Sequence, residues 1–162
     1  MDIKQYIEIR RKVALNDVSL GYQTVRLIPV DELNEAQQGY SITESGEALT
    51  GDYEGAWKSN WLVIARDELL GDPLFVDLDE EDLLVYIAEH GEGAWSPIIV
   101  SSSFNGFIQA LEEVDRIGQG RRNPVELEHN PISDADRKRS LNRIAEVCGV
   151  VSLEFWESWF DV

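Results

Sequence analysis

The sequence predicts one α+β domain with an antiparallel-dominated sheet of four to five strands flanked by helices. Three observations carry this. Four apolar runs of strand length succeed one another between Trp61 and Val100, across turns too short for a helical crossover of about a dozen residues or more. After Ser103 the apolar residues switch to helical spacing. A chain of 162 residues, 43% of them hydrophobic, suits one sizeable core rather than two. No internal repeat or low-complexity tract divides it, so a single domain over 1–162 is expected.

The first segment, Ile3 to Leu15, puts Ile3, Tyr6, Ile7 and Arg10 on one helical stripe. Tyr6-Ile7-Glu8-Ile9 also alternates, so a helix and an edge strand both stay open there. Thr24 to Ile28 is a β-type run closed by Pro29. Val30-Asp31-Glu32-Leu33 then reads as a helix start with acids in its first turn, and that helix should end near Gly39. Ser41 to Glu54 is polar and rich in Gly, Thr and Ser, as loops are. Strands are predicted at Trp61–Ala65, Leu74–Leu78, Leu84–Ala88 and Trp95–Val100. Their turns are Leu70-Gly71-Asp72-Pro73, Asp79 to Asp82, and His90-Gly91-Glu92-Gly93.

Phe104, Phe107, Ile108, Leu111 and Val114 form an apolar helical stripe, with Ser102 or Ser103 as its cap and Gly118 as its stop. Gly118 to Pro131 reads as a polar loop. A second helix starts after Ser133, aligns Leu141, Ile144, Ala145 and Cys148, and stops at Gly149. From Ser152 onward, Leu153, Phe155, Trp156, Trp159 and Phe160 are spaced as in a short helix, so helical structure is expected over 133–160. Leaving that much aromatic surface in water is costly, and it should dock on the sheet or the helices.

Charge narrows the function classes. The chain holds 31 acidic and 14 basic residues, a formal net charge of −17. Such a surface repels phosphate backbones and anionic lipids, which argues against nonspecific nucleic-acid or membrane-surface binding and favours a basic protein or a cation. The excess is local. Between Val13 and Asp115 stand 21 acidic residues and three basic ones, Arg26, Lys58 and Arg66, whereas the two ends are nearly balanced. With a single cysteine, Cys148, no intramolecular disulfide can form, and a reducing cytoplasm is the expected compartment. The N-terminus carries no signal-peptide pattern, and no apolar run approaches the ~20 residues of a membrane span.

The chemistry-bearing residues do not assemble into a catalytic motif. Acids crowd the turns, from Asp67 and Glu68 through Asp72, Asp77 and Asp79 to Asp82, and hard cations require such carboxylates. No EF-hand spacing is present, however, and no lysine occurs between Lys58 and Lys138 to support a metal-dependent nuclease. A solvated acidic face is the simpler reading. His90, His129 and Cys148 have no zinc-ligand spacing. Ser101 to Ser103 lack the context of a nucleophile and sit where helix caps belong. Gly91-x-Gly93 and Gly118-x-Gly120 do not continue into a phosphate-binding loop. No cofactor is expected. The five tryptophans read as core rather than ligand platform, Trp57 least firmly because its flanks are polar, which makes it the candidate aromatic anchor for a partner.

Trp61-Leu62-Val63-Ile64-Ala65-Arg66-Asp67, then Gly71-Asp72-Pro73-Leu74-Phe75-Val76-Asp77, Val85-Tyr86, His90 to Trp95, and Ser101-Ser102-Ser103-Phe104 with Phe107 follow one another in order. This succession resembles the SUKH superfamily, in particular its SMI/KNR-type branch, and covers roughly Trp57 to Leu111. The resemblance implies an α+β fold. For bacterial members it implies non-enzymatic immunity proteins that bind and neutralise polymorphic toxins, often nucleases; for fungal members it implies signalling scaffolds. The first fifty residues do not follow the family pattern.

The expected function is therefore an immunity protein that covers a basic toxin domain through an acidic face made of Asp67, Glu68, Asp72, Asp77 and Asp79, with Trp57 as anchor. Gly71 and Pro73 should serve the turn. A cytoplasmic scaffold of the same fold, as a monomer or homodimer, is the second expectation, and a metal-dependent enzyme built on the acidic turns is the third.

Overall fold

The computed structural model describes residues 1–149 and 152–161. Its centre is a six-stranded, wholly antiparallel sheet whose spatial order is its chain order. The strands are β1 (Asp17–Leu20), β2 (Gln23–Leu27), β3 (Trp61–Asp67), β4 (Pro73–Asp77), β5 (Val85–Gly91) and β6 (Ala94–Ser101). The α+β class holds, with six strands rather than four to five. The additional strand is β1, whose Asp-Val-Ser-Leu is too short to display a period. It turns into β2 through Gly21, at φ +57°, and Tyr22, and Ser19 and Thr24 share a cross-strand hydrogen bond of 2.8 Å.

Among the described residues five α-helices accompany the sheet: α1 (Ile3–Arg11), α2 (Phe104–Ile117), α3 (Pro124–His129), α4 (Asp134–Cys148) and α5 (Glu154–Glu157). The open choice at the N-terminus resolves to a helix. Asp2 accepts from Gln5 N and the Gln5 side chain reaches back to Asp2 N, a capping box that begins α1 with Tyr6 and Arg10 inward. Ser103 and Ser133 cap α2 and α4 as expected. α3 lies inside the segment expected to be loop; Asn123 caps it, Pro124 starts it, and only Leu127 is buried, so one apolar residue left no stripe to read. The helix expected over Val30 to Gly39 is instead two 3-10 turns, Val30–Glu32 and Glu35–Gln37, because the Gln37 side chain is bound to the edge of β3.

The pleat sends alternate residues to two cores. Leu62, Ile64, Leu74, Val76, Val85 and Val100 face the helices, where they meet Tyr6, Phe107, Leu111, Ile144 and Trp156. Val63, Phe75 and Ala88 face the other way and pack on Trp57, ringed by Tyr40, Trp61, Tyr86 and Trp95. The polar segment between the 3-10 turns and β3 thus roofs a small aromatic core. On the helix side, a Cβ at Gly106 of α2 would collide with the Val147 carbonyl of α4, so the glycine sets how closely these helices pack. The aromatic tail docks as expected: Trp156 is fully buried and its Nε1 donates to Val100 O at 2.8 Å. Val150 and Val151, within the helical range expected over 133–160, lie outside the described residues. Among the described residues no helix is long and apolar enough to cross a membrane.

Candidate functional site

The turn between β3 and β4 walls a small concave surface rich in carboxylates. Asp67 ends β3 only 4% exposed, and its Oδ1 accepts from Leu69 N at 2.9 Å. Asp67 N donates to Asp72 O at 2.9 Å, and Gly71 N donates to Asp67 O at 2.8 Å. Gly71 adopts φ +79°, a conformation that costs a side chain strain, so it serves the turn as expected. With the turn pinned at its base, Leu69 and Leu70 are pushed outward, and Leu70 is 71% exposed.

Beneath Leu70 lies a cleft of about 300 Å³ between the sheet and α5. Four carboxylates line it: Asp67, Asp72, Glu89 of β5 and Glu154 of α5. Its apolar surface comes from Leu70, Ile87, Ile98 and Phe155, and no lysine or arginine contributes to it. The electrostatics follow from that lining. Burial raises the Asp67 carboxyl above its ordinary range, opposed by the backbone hydrogen bonds from Leu69 and Leu70. Burial also raises Asp72, and the charges of Asp67 and Glu89 add to it. Asp67, Asp72 and Glu89 are thus near enough to repel one another, and none of them has an ion pair among the described residues.

Of the five acids expected to form one face, the structure brings only some together. Glu68 is exposed and turns toward β2, where its N–H donates to Thr24 O and its side chain joins Asp17 and Arg26 along a shallow groove. Asp77 and Asp79 stand at the opposite end of β4, about 17 Å from Asp72 at ~3.4 Å per residue. There Asp77 accepts from Asn60 Nδ2 and from Asp79 N, so it holds the β4–β5 turn, while Asp79 is exposed. The five-residue β4 separates the two groups, so the five acids do not form one compact cluster.

Trp57 is likewise corrected as a surface anchor. It is 1% exposed, its Nε1 donates to Trp61 O at 3.3 Å, and its ring centroid lies 4.8 Å from Phe75 and 5.1 Å from Trp95. The polar flanks belong to the loop, whereas the indole turns into the second core. Glu89 lies one residue past the predicted strand end at Ala88 and Glu154 opens a helix of only four residues, so neither carries a sequence signal of its place in the cleft.

Other chemistry is not assembled. Among the described residues no group of three or more His, Cys, Asp or Glu is placed to hold a metal ion. Ser101 Oγ donates to Ser103 O at 2.8 Å and Ser103 Oγ accepts from Gly106 N, so these serines serve the helix start. His90 packs against Trp95 at the other end of β6, remote from them. Burial pushes the Cys148 thiol up to about 11, far from the thiolate that a nucleophile requires. What the cleft can do is accept a cationic side chain, carboxylates taking the charge and the leucine, isoleucines and phenylalanine taking its methylene stem.

No family model matches the chain, and no curated protein or solved structure matches it either.

Proposed function

We propose that the chain is a non-enzymatic immunity protein of SUKH type, which binds and neutralises a cognate toxin domain of basic, nuclease-like character in the cytoplasm. The observation that carries this reading is the cleft in which Asp67, Asp72, Glu89 and Glu154 stand uncompensated above apolar surface. A lysine or arginine of a basic partner would supply the missing counter-charge, and the net charge of −17 would speed its approach. The ordered motif from Trp61 to Phe107 supports the SUKH assignment. Co-purification with any toxin domain encoded beside it, followed by rescue of toxin-expressing cells, tests the proposal; failure of both would reject it.

A second reading, a homodimeric scaffold of the same fold, is favoured by β6. It is an edge of the sheet and exposes Ile98 and Ile99. Pro97 removes one donor from that edge, which weakens strand-to-strand pairing. Light scattering separates the readings: a monomer until the toxin is added supports the first, a stable dimer alone the second.

A further inference from the structure

The sheet face opposite the helices carries a feature of the other sign. Arg26 of β2 and Arg66 of β3 stand directly across from each other in the antiparallel register. Two of the three basic residues between Val13 and Asp115 are thus neighbours on one face, an arrangement that like charges disfavour. Arg26 donates to Glu32 Oε2 at 2.6 Å. Arg66 makes no ion pair among the described residues, and its Nε is buried without an acceptor. In a chain with 31 carboxylates, an arginine that lines an open groove without pairing to one is a charge that a bound carboxylate would neutralise.

Two grooves meet at this residue. One, of about 870 Å³, runs past Arg26, Glu32, Glu35 and Glu44; the other, of about 650 Å³, runs past Tyr40, Tyr53, His90 and Trp95. Both are also lined by Gln38, Gly39, Leu49 and Arg66, so they form one open trough with Arg66 at its middle. Leu49 and Tyr53 are exposed along it, Tyr53 by 67%. Glu32, Glu35 and Glu44 repel a polyanion, so neither a nucleic acid nor a polyphosphate suits this trough. A single carboxylate suits the planar guanidinium fork, which takes such a group with two parallel hydrogen bonds.

We propose that this trough binds an extended peptide segment of a partner protein, with one carboxylate of the segment on Arg66 beside Arg26 and a neighbouring apolar side chain against Tyr53 and Trp95. The acidic cleft lies on the other side of the sheet, and this inference does not rest on it.

The test uses the full chain and two pools of N-acetylated, C-amidated pentapeptides, with Asp fixed at the centre of one and Asn at the centre of the other. The readouts are the NMR signals of Arg66 Nε–H and Trp95 Nε1–H. The expected result is a saturable shift of both signals with the Asp pool and none with the Asn pool. Arg66→Gln should weaken binding at least about tenfold and Arg66→Lys less, since an ammonium keeps the charge but loses the fork. Thermal melting confirms that both variants fold. Equal response to the two pools, no response to either, or unchanged binding by a folded Arg66→Gln would overturn the proposal. A pool with phosphoserine at the centre that binds more tightly than the Asp pool would also overturn it, by showing a phosphate site. A parent chain that binds the toxin but neither peptide pool would sink this inference alone.

Discussion

Gln37 completes the edge of β3 at Val63: its Nε2 donates to Val63 O at 3.0 Å and its Oε1 accepts from Val63 N at 2.9 Å. These are the two bonds that a neighbouring strand would make. β2 pairs as far as Ala65, Ile28 N adds a bond to Ile64 O, and the chain then leaves at Pro29. One side-chain amide replaces the missing strand, and a third bond from Nε2 to Leu33 O at 2.9 Å holds it in place. Gln37→Leu keeps the bulk but strands a buried N–H and a buried C=O. At ~1–3 kcal/mol for each unsatisfied group, a loss of about 2–4 kcal/mol is expected in urea unfolding. A loss below about 0.5 kcal/mol would mean that water replaces the amide.

Trp57→Ala removes the centre of the aromatic core and should cost about 3–5 kcal/mol. Trp57→Phe keeps part of the packing and should cost less. Urea unfolding of the free protein reads both. If Trp57→Ala left stability unchanged while weakening partner binding, the indole would be an anchor after all.

Gly106→Ala sets two effects against each other. Helix propensity favours alanine by roughly 0.5–1 kcal/mol. The added methyl collides with the Val147 carbonyl, which α4 holds as rigid backbone. The collision should win and lower the melting temperature by several degrees; a rise would show that α4 can move aside.

Stability should depend on pH through carboxyls shifted in opposite directions. Asp67 and Asp72 are raised, so the folded state holds their protons more tightly than the unfolded chain does. Their contribution is favourable below the ordinary aspartate range and is lost as pH rises through their folded values. Asp72→Asn should therefore stabilise the protein at pH 7 and make no difference at low pH. Glu113 is lowered, first by its hydrogen bond from Arg116 and further by that from Ser140 at 2.7 Å. Its contribution is present above the ordinary glutamate range and is lost as pH falls, so Glu113→Gln should destabilise at pH 7 and converge with the parent in acid. Melting curves across the acid range check both, and parallel curves for either variant would contradict the assignment.

Legibility in the sequence followed the length of each signal. β3 to β6, α2 and α4 each bury several residues in a repeating pattern, and their limits were read to within a few positions. β1 and α3 rest on two and one buried residues, below what a period can show. The Val30 to Gly39 error has a different cause: a tertiary bond from Gln37 to β3 overrides a local pattern. The site was half legible. Asp67 and Asp72 could be named from the turn, but which acids share a surface depends on strand direction, so Asp77 and Asp79 fell at the far end. Glu89 and Glu154 joined from elements adjacent only in space. The Trp57 flanks reported on the loop rather than on the direction of the ring.

The most direct test of the central claim is the Kd for the basic toxin domain proposed as partner, measured from about 0.05 to 0.5 M salt, a range over which exposed charges pass from weakly to strongly screened. The cleft predicts a Kd that rises steeply with salt, and a double variant Asp72→Asn, Glu89→Gln that binds at least about tenfold more weakly with a flatter salt dependence. A Kd indifferent to salt and unchanged in the folded double variant would contradict it.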